Sequence, residues 1–308
     1  MPPRSCLVRR KGSGSWANHG NFNLRPSLKI KNFNDDTEHE FARYSCATTR
    51  RCNSLPAGSL RSAENNVWKS TKVTLNGQLQ GTGEIDGFKL YSDAGLIAPL
   101  AEQATVRLFR DTELRVGPVP YAMVETVNDR AFVEKHFGDD FVLWEVESLW
   151  WLSWNSQPPI PTAHVSLRKR DGGAFQGALQ IGNDTATFTG MSETGFNMSY
   201  FQRYLAVEQL ANNYDSACGA NSNYYVVATP RENRSALFTW IPHGIDRAFM
   251  CPQHGGQLPP VDGGSCPVAA CLQRESCAAE FCAVFEDLAA LAHRLPDPPC
   301  QVHSVCLH

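Results

Sequence analysis

At 308 residues, 42% hydrophobic and 19% charged, the chain has the composition of a folded globular protein, long enough for one two-lobed domain or two ordinary ones. The formal net charge is −3 and no basic run extends beyond Arg9-Arg10-Lys11, so electrostatic capture of nucleic acid has no support. No apolar stretch approaches the roughly 20 residues of a membrane-spanning helix, because the longest candidate, around residues 283–295, is broken by Glu286, Asp287, His293 and Arg294.

Leu7-Val8 and Ser27–Lys31 read as strands, the second alternating polar and apolar side chains, with Gly12-Ser13-Gly14-Ser15 in the loop between them. Residues 34–70 are polar and aperiodic, the pattern of a long loop or insertion, and Val73-Thr74-Leu75 is a short strand. Gly83–Ala94 is predicted as a helix that stops at Gly95, with Pro99 beyond. Two strands follow, Ala104–Phe109 and Tyr121–Val127, joined by a turn-rich link, and then a helix over Asp129–Phe137. The stretch around residues 149–190 is poorly patterned, with short strands. Met198–Asn212 is a helix with a broad apolar face that includes Tyr200, Phe201, Tyr204 and Leu205. Tyr224–Thr229 and Leu237–Ile241 form a hairpin around Pro230–Arg234. A last helix, Glu275 to about Leu295, carries Phe281, Phe285, Leu288 and Leu291 along one stripe and stops at Pro296.

Seven of the eleven cysteines (Cys251, Cys266, Cys271, Cys277, Cys282, Cys300 and Cys306) lie near the C-terminal end. That density points to disulfides and an oxidising compartment, and the lack of any CxxC pair counts against zinc. The sequons at Asn183, Asn197 and Asn233 agree with secretion without deciding it. Met1–Gly14 has basic residues but no apolar h-region, so no signal peptide is expected in the sequence as it stands, which leaves a cytosolic protein or a longer gene open.

Phosphoryl transfer asks a protein to cradle phosphates, hold a metal and aim an acceptor. A Gly-rich turn between strands brings backbone N–H groups close to phosphate oxygens, and Gly12-Ser13-Gly14-Ser15 has that character, although such turns are more often only turns. Lys29, on the next strand, is placed to reach phosphates as a cation, and Glu84 is a carboxylate able to hold it. A solvated lysine and a helix N-terminal carboxylate are the plainer readings of the two. Downstream, Asp215 follows a helix, Asn223 precedes one strand of the hairpin, and Asp246 follows the other. A closed hairpin returns the chain to its start, so these three converge in the order of an acceptor-orienting Asp, a metal-binding Asn and a metal-binding Asp. Turn-forming residues at hairpin ends give the same pattern. His243 is a lone histidine beside a turn, more often structural than a base.

Read as words, the same residues resemble the spore coat protein H (CotH) kinase family. The matching stretches are KGSGSW and RPSLKIK (Lys11–Trp16, Arg25–Lys31), DAGLIAP (Asp93–Pro99), YAMVETVNDRAFVEKHFG (Tyr121–Gly138), YFQRYLAVEQLANNYDS (Tyr200–Ser216), NYYVV (Asn223–Val227) and FTWIPHGIDRAF (Phe238–Phe249). The resemblance implies an α+β, two-lobed, protein-kinase-like fold. Its β-rich N-lobe would span residues 1–126, and a mixed, mainly helical C-lobe residues 127–308. It implies an ATP- and Mg²⁺-dependent kinase acting on Ser or Thr of secreted or surface proteins, the alternative being an inactive, surface-binding pseudokinase. In that reading Gly12, Ser13, Gly14 and Ser15 lie over the phosphates, and Lys29 contacts them, paired to Glu84. The segment after Glu125 adjoins adenine, Asp215 orients the acceptor, and Asn223 and Asp246 hold metal. The sequence departs from the family at His243, where Trp is usual, and at Gly244, where an Asp often stands.

Overall fold

The computed structural model describes residues 6–10, 27–32, 72–77, 83–110, 113–146, 165–171, 197–213, 223–230, 236–246, 248–249 and 275–292. Among these residues the fold is mixed α+β. Its elements are β1 (Cys6–Arg10), β2 (Leu28–Asn32), β3 (Lys72–Asn76), α1 (Gly83–Asp93), β4 (Ala101–Arg110), β5 (Glu113–Glu125) and α2 (Arg130–Phe137). After them come β6 (Phe141–Val146), β7 (Val165–Asp171), α3 (Met198–Leu210), β8 (Tyr224–Pro230), β9 (Ala236–Pro242) and α4 (Glu275–Ala292). None of the described helices is long and apolar enough to cross a membrane.

By its contacts the chain divides into two compact units, residues 1–82 with 99–135 and residues 83–98 with 136–308. Helix α1, which the sequence grouped with the N-terminal half, clusters with the second unit, and residues 127–135 cluster with the first.

The first unit holds an antiparallel sheet in the order β1-β2-β3-β5-β4. Period-two alternation gives its strands two faces. Leu28, Val73, Leu75, Tyr121 and Met123 form one apolar cluster, with Leu100, Ala104, Val106 and Val119 packed against it. The alternate residues Lys29 and Thr74 are register partners, as are Thr74 and Val124, and this second face is buried yet partly polar. Strand β5 starts well before the predicted Tyr121, running through Gly117, Pro118 and Pro120. Strand β3 pairs only with residues 122–125, so the Pro118–Pro120 stretch has β4 as its described neighbour, and a missing N–H costs nothing on an unpaired side.

The second unit holds an antiparallel sheet in the order β7-β6-β8-β9. Every residue of Tyr224–Ala228 on β8 is buried, as are Phe141, Val142 and Leu143 on β6, so the central strands are covered on both faces. Helix α3 starts at Asn197, whose side chain accepts the Tyr200 N–H, and buries residues around most of its circumference. Helix α4 buries Cys277, Phe281, Phe285, Leu288 and Ala292, a spacing of three and four residues that forms one stripe, and it packs on α3. Helix α1 ends in a Schellman turn: Gly95 takes φ +75°, its N–H reaches Ser92 O at 2.9 Å, and Leu96 N–H reaches Tyr91 O at 3.0 Å. Arg203 Nη1 from α3 donates to Ala94 O at 3.2 Å, closing that helix end. Burial pushes the phenols of Tyr91 and Tyr204 well above their ordinary value, with buried Glu208 adding to the effect.

Candidate functional site

Lys29 is buried, 9% exposed, on the polar face of the first sheet. Its register partner Thr74 brings a hydroxyl 3.4 Å from that of Thr126, just past the end of β5. The Lys29 ammonium donates to Asn128 Oδ1 at 3.2 Å, and Lys72 donates to the backbone O of the same Asn128 at 3.4 Å. A buried ammonium needs oxygen acceptors. A lysine so placed, on a face with two threonine hydroxyls, fits a phosphate-bearing ligand in its donor chemistry. Asn128 and Lys72 were not singled out from the sequence. The available signal was Lys72, two residues before Thr74 on a strand adjoining that of Lys29.

Glu125, read as the residue before the adenine-binding segment, is also buried. Its Oε2 accepts Leu100 N–H at 3.2 Å, and its own N–H donates to Leu100 O at 2.8 Å. Burial raises its carboxyl above the usual carboxylate range; the Leu100 hydrogen bond and Lys135 oppose that shift, and Asp129 adds to it. The chain then turns through residues 126–128 into α2, with Asp129 Oδ1 accepting Ala131 N–H at 3.2 Å as a cap.

Glu84 lies on α1 in the second unit and is fully buried, 0% exposed. The pairing to Lys29 read from the resemblance joins residues of different units. What the structure fixes for Glu84 is its helix. A Cβ at Gly87, one turn on, would stand 2.7 Å from Ile245 Cδ1 and 3.3 Å from Ala248 Cβ, so the absent side chain lets α1 lie against the segment that carries Asp246.

That segment follows β9. Strands β8 and β9 pair from Tyr224↔Pro242 to Pro230↔Ala236, which puts Asn223 opposite His243, and His243 N–H donates to Asn223 O at 3.0 Å. Asn223 has a left-handed backbone, φ 60°, which asparagine tolerates better than most residues. Its Nδ2 donates to Gly244 O at 3.4 Å, an orientation that leaves Oδ1 as the acceptor end of the amide. Gly244 is itself left-handed, φ +57°, and a Cβ there would lie 3.3 Å from Asn223 Cγ. The position where the family often has a carboxylate is therefore shaped here for glycine. Asp246 is exposed two residues later. An amide oxygen and a carboxylate are hard oxygen donors of the kind that would suit Mg²⁺.

The helix before Asp215 reaches the same region. Phe249 N–H donates to Ala211 O at 2.6 Å, and Asn212 and Asn213 beyond it are buried. Asp215 and the Gly12–Ser15 turn lie outside the described residues. His243 packs its ring edge-on to Tyr225 at 4.9 Å and sets Nε2 3.8 Å from Glu145 Oε1, part-buried contacts that hold it as a wall of this corner.

A family model described as CotH kinase protein matches residues 121–283, just over half of the chain. No curated protein matches it.

Proposed function

Because the chain belongs to the CotH kinase protein family, we propose that it is an ATP- and Mg²⁺-dependent phosphotransferase of two-lobed, kinase-like architecture, acting on Ser or Thr of secreted or surface proteins. Lys29, with the Gly12–Ser15 turn, binds phosphates, and the chain after Glu125 takes adenine. Glu84 keeps the supporting carboxylate role suggested by the resemblance. Asn223 and Asp246 hold the metal, and Asp215 orients the acceptor hydroxyl. When bound, the metal neutralises charge developing on the transferred phosphoryl group.

The observation that carries this reading is the corner at the open end of the β8–β9 hairpin. There Asn223 docks on Gly244, and Phe249 is tied to Ala211, four residues upstream of Asp215. These two contacts support the reading by holding the strand ends that carry Asn223 and Asp246 and the end of the helix that precedes Asp215 in the chain. Secretion is supported by the density of cysteines in the C-terminal region, the composition of a disulfide-stapled protein. A second reading, an inactive surface-binding relative, is favoured by one feature: the left-handed Gly244 stands where a second carboxylate would be expected.

Thermal unfolding with ATP, with and without Mg²⁺, tests both readings. A shift that requires Mg²⁺ and disappears in Asp246→Ala supports a metal-nucleotide site, and phosphate incorporation lost in Asp215→Asn supports catalysis. A nucleotide shift indifferent to Mg²⁺, with no phosphate incorporation, favours the inactive relative. No shift under any condition sinks the nucleotide reading.

A further inference from the structure

Of the three sequons, Asn183 and Asn233 lie outside the described residues, and Asn197-Met198-Ser199 lies within them. The triplet alone says little, because it arises by chance. What decides is whether its asparagine can carry a bulky polar group and still do its work in the fold.

Asn197 is exposed and caps α3. Its Oδ1 accepts the Tyr200 N–H at 3.1 Å. A backbone N–H donates, so the capping atom is the amide oxygen and not the nitrogen. N-glycosylation modifies the nitrogen and leaves the carbonyl, so the cap survives it. Ser199, the hydroxyl the sequon requires, is the one exposed residue of α3, whose other residues are buried or half-buried. The cap is also remote from the hairpin corner. At about 1.5 Å of rise per residue, Asn197 and Ala211 stand about 20 Å apart along the helix axis, and Ala211 is at the end that precedes Asp215.

We infer that Asn197 is an N-glycosylation site, modified from a lipid-pyrophosphate-linked oligosaccharide by the oligosaccharyltransferase of a secretory pathway. The bond from Nδ2 to C1 of the sugar forms as the C1–O bond to pyrophosphate breaks. The lipid pyrophosphate leaves with the bonding pair, and the amide proton passes to a base of the transferase. The inference rests on the secretion reading, because the chain meets that donor only after entering the pathway. The glycan shields the start of α3 and leaves the far end of the helix uncovered.

The full chain, expressed behind a cleavable secretion leader in a eukaryotic host, provides the test. Secreted and intracellular pools are treated with peptide N-glycosidase in ¹⁸O-labelled water, and labelled aspartates are located by peptide mass spectrometry. Label is expected at position 197. Ser199→Ala and Asn197→Asp should each lose one glycan, and Ser199→Thr should keep it. Asn197→Asp preserves a capping oxygen, so it should melt with deglycosylated wild type. Transfer precedes folding, so occupancy is readable even in a variant that fails to fold. Label at Asn183 or Asn233 with none at Asn197 overturns the inference and leaves the secretion reading standing. A chain with no label at any sequon in either pool overturns it as well. A glycan at Asn197 that lowers the melting temperature relative to the deglycosylated protein contradicts a cap that survives modification. Fractionation of the source cells asks the secretion reading separately: protein confined to the cytosol removes that reading and the modification with it.

Discussion

In the first unit's sheet the polar groups of interest, Lys29, Thr74 and Asn76, stand buried on a strand face, while in the second unit the central strands are apolar on both faces and the polar groups gather where strands end. The two arrangements position side chains by different means. On a face, register does the work: Lys29 meets Thr74 because β2 and β3 pair that way, and a slip of one residue would send every side chain to the other side. At a strand end the backbone does it, through the left-handed Asn223 and Gly244 and the hydrogen bond between them.

Breaking the apolar strands should have the largest effect. Trp240 is fully buried on β9, its ring centroid 4.4 Å from that of Phe201, and Trp240→Ala is expected to cost about 3–5 kcal/mol in urea unfolding. A loss under 1 kcal/mol would show that the second sheet is not the packed layer described. Gly244→Ala probes the strand end. Its left-handed φ of +57° and the 3.3 Å approach to Asn223 predict a loss of about 1–2 kcal/mol, together with a flattened Mg²⁺ dependence of the nucleotide shift. An alanine variant as stable as wild type, with Mg²⁺ dependence intact, would remove the backbone argument.

The smallest effect belongs to Glu125, at the end of the first sheet. A carboxyl with a folded value above its ordinary 4.5 binds its proton more tightly when folded. That contribution is fully present below the unfolded value and is lost as pH rises through the raised folded value. Glu125→Gln keeps an acceptor for Leu100 N–H and has no charge to bury. Its melting temperature relative to wild type should therefore climb from acid toward neutral pH, and a difference constant with pH would contradict the desolvated carboxyl.

Much of this was legible in the sequence where local signals decide. The end of α1 at Gly95, the start of α3 after Asn197 and the β8–β9 hairpin all follow from caps, turn residues and periodicity. Strand β6, Phe-Val-Leu-Trp-Glu-Val, was not read, because a strand covered on both faces lacks the alternation that marks one. The first part of β5 was hidden by its prolines, which the pattern of strand neighbours accommodates. At the site, residue types were readable and their partners were not. Nothing local says that Asn128, 99 positions from Lys29, will receive its amine, or that Gly244 is left-handed against Asn223. Those facts are set by register and packing across long separations.

The threading of the chain has a further consequence. It passes from one unit to the other at 82/83, comes back at 98/99 and crosses again at 135/136. Helix α1 is thus an excursion made between two strands of the other unit, and the second unit is encoded in two pieces with residues 99–135 between them. A polypeptide beginning at residue 136 would lack the glycine surface on which Ile245 and Ala248 rest. During synthesis, the segment bearing Asp246 has its seat made long before it emerges, and it must close that distance to find it.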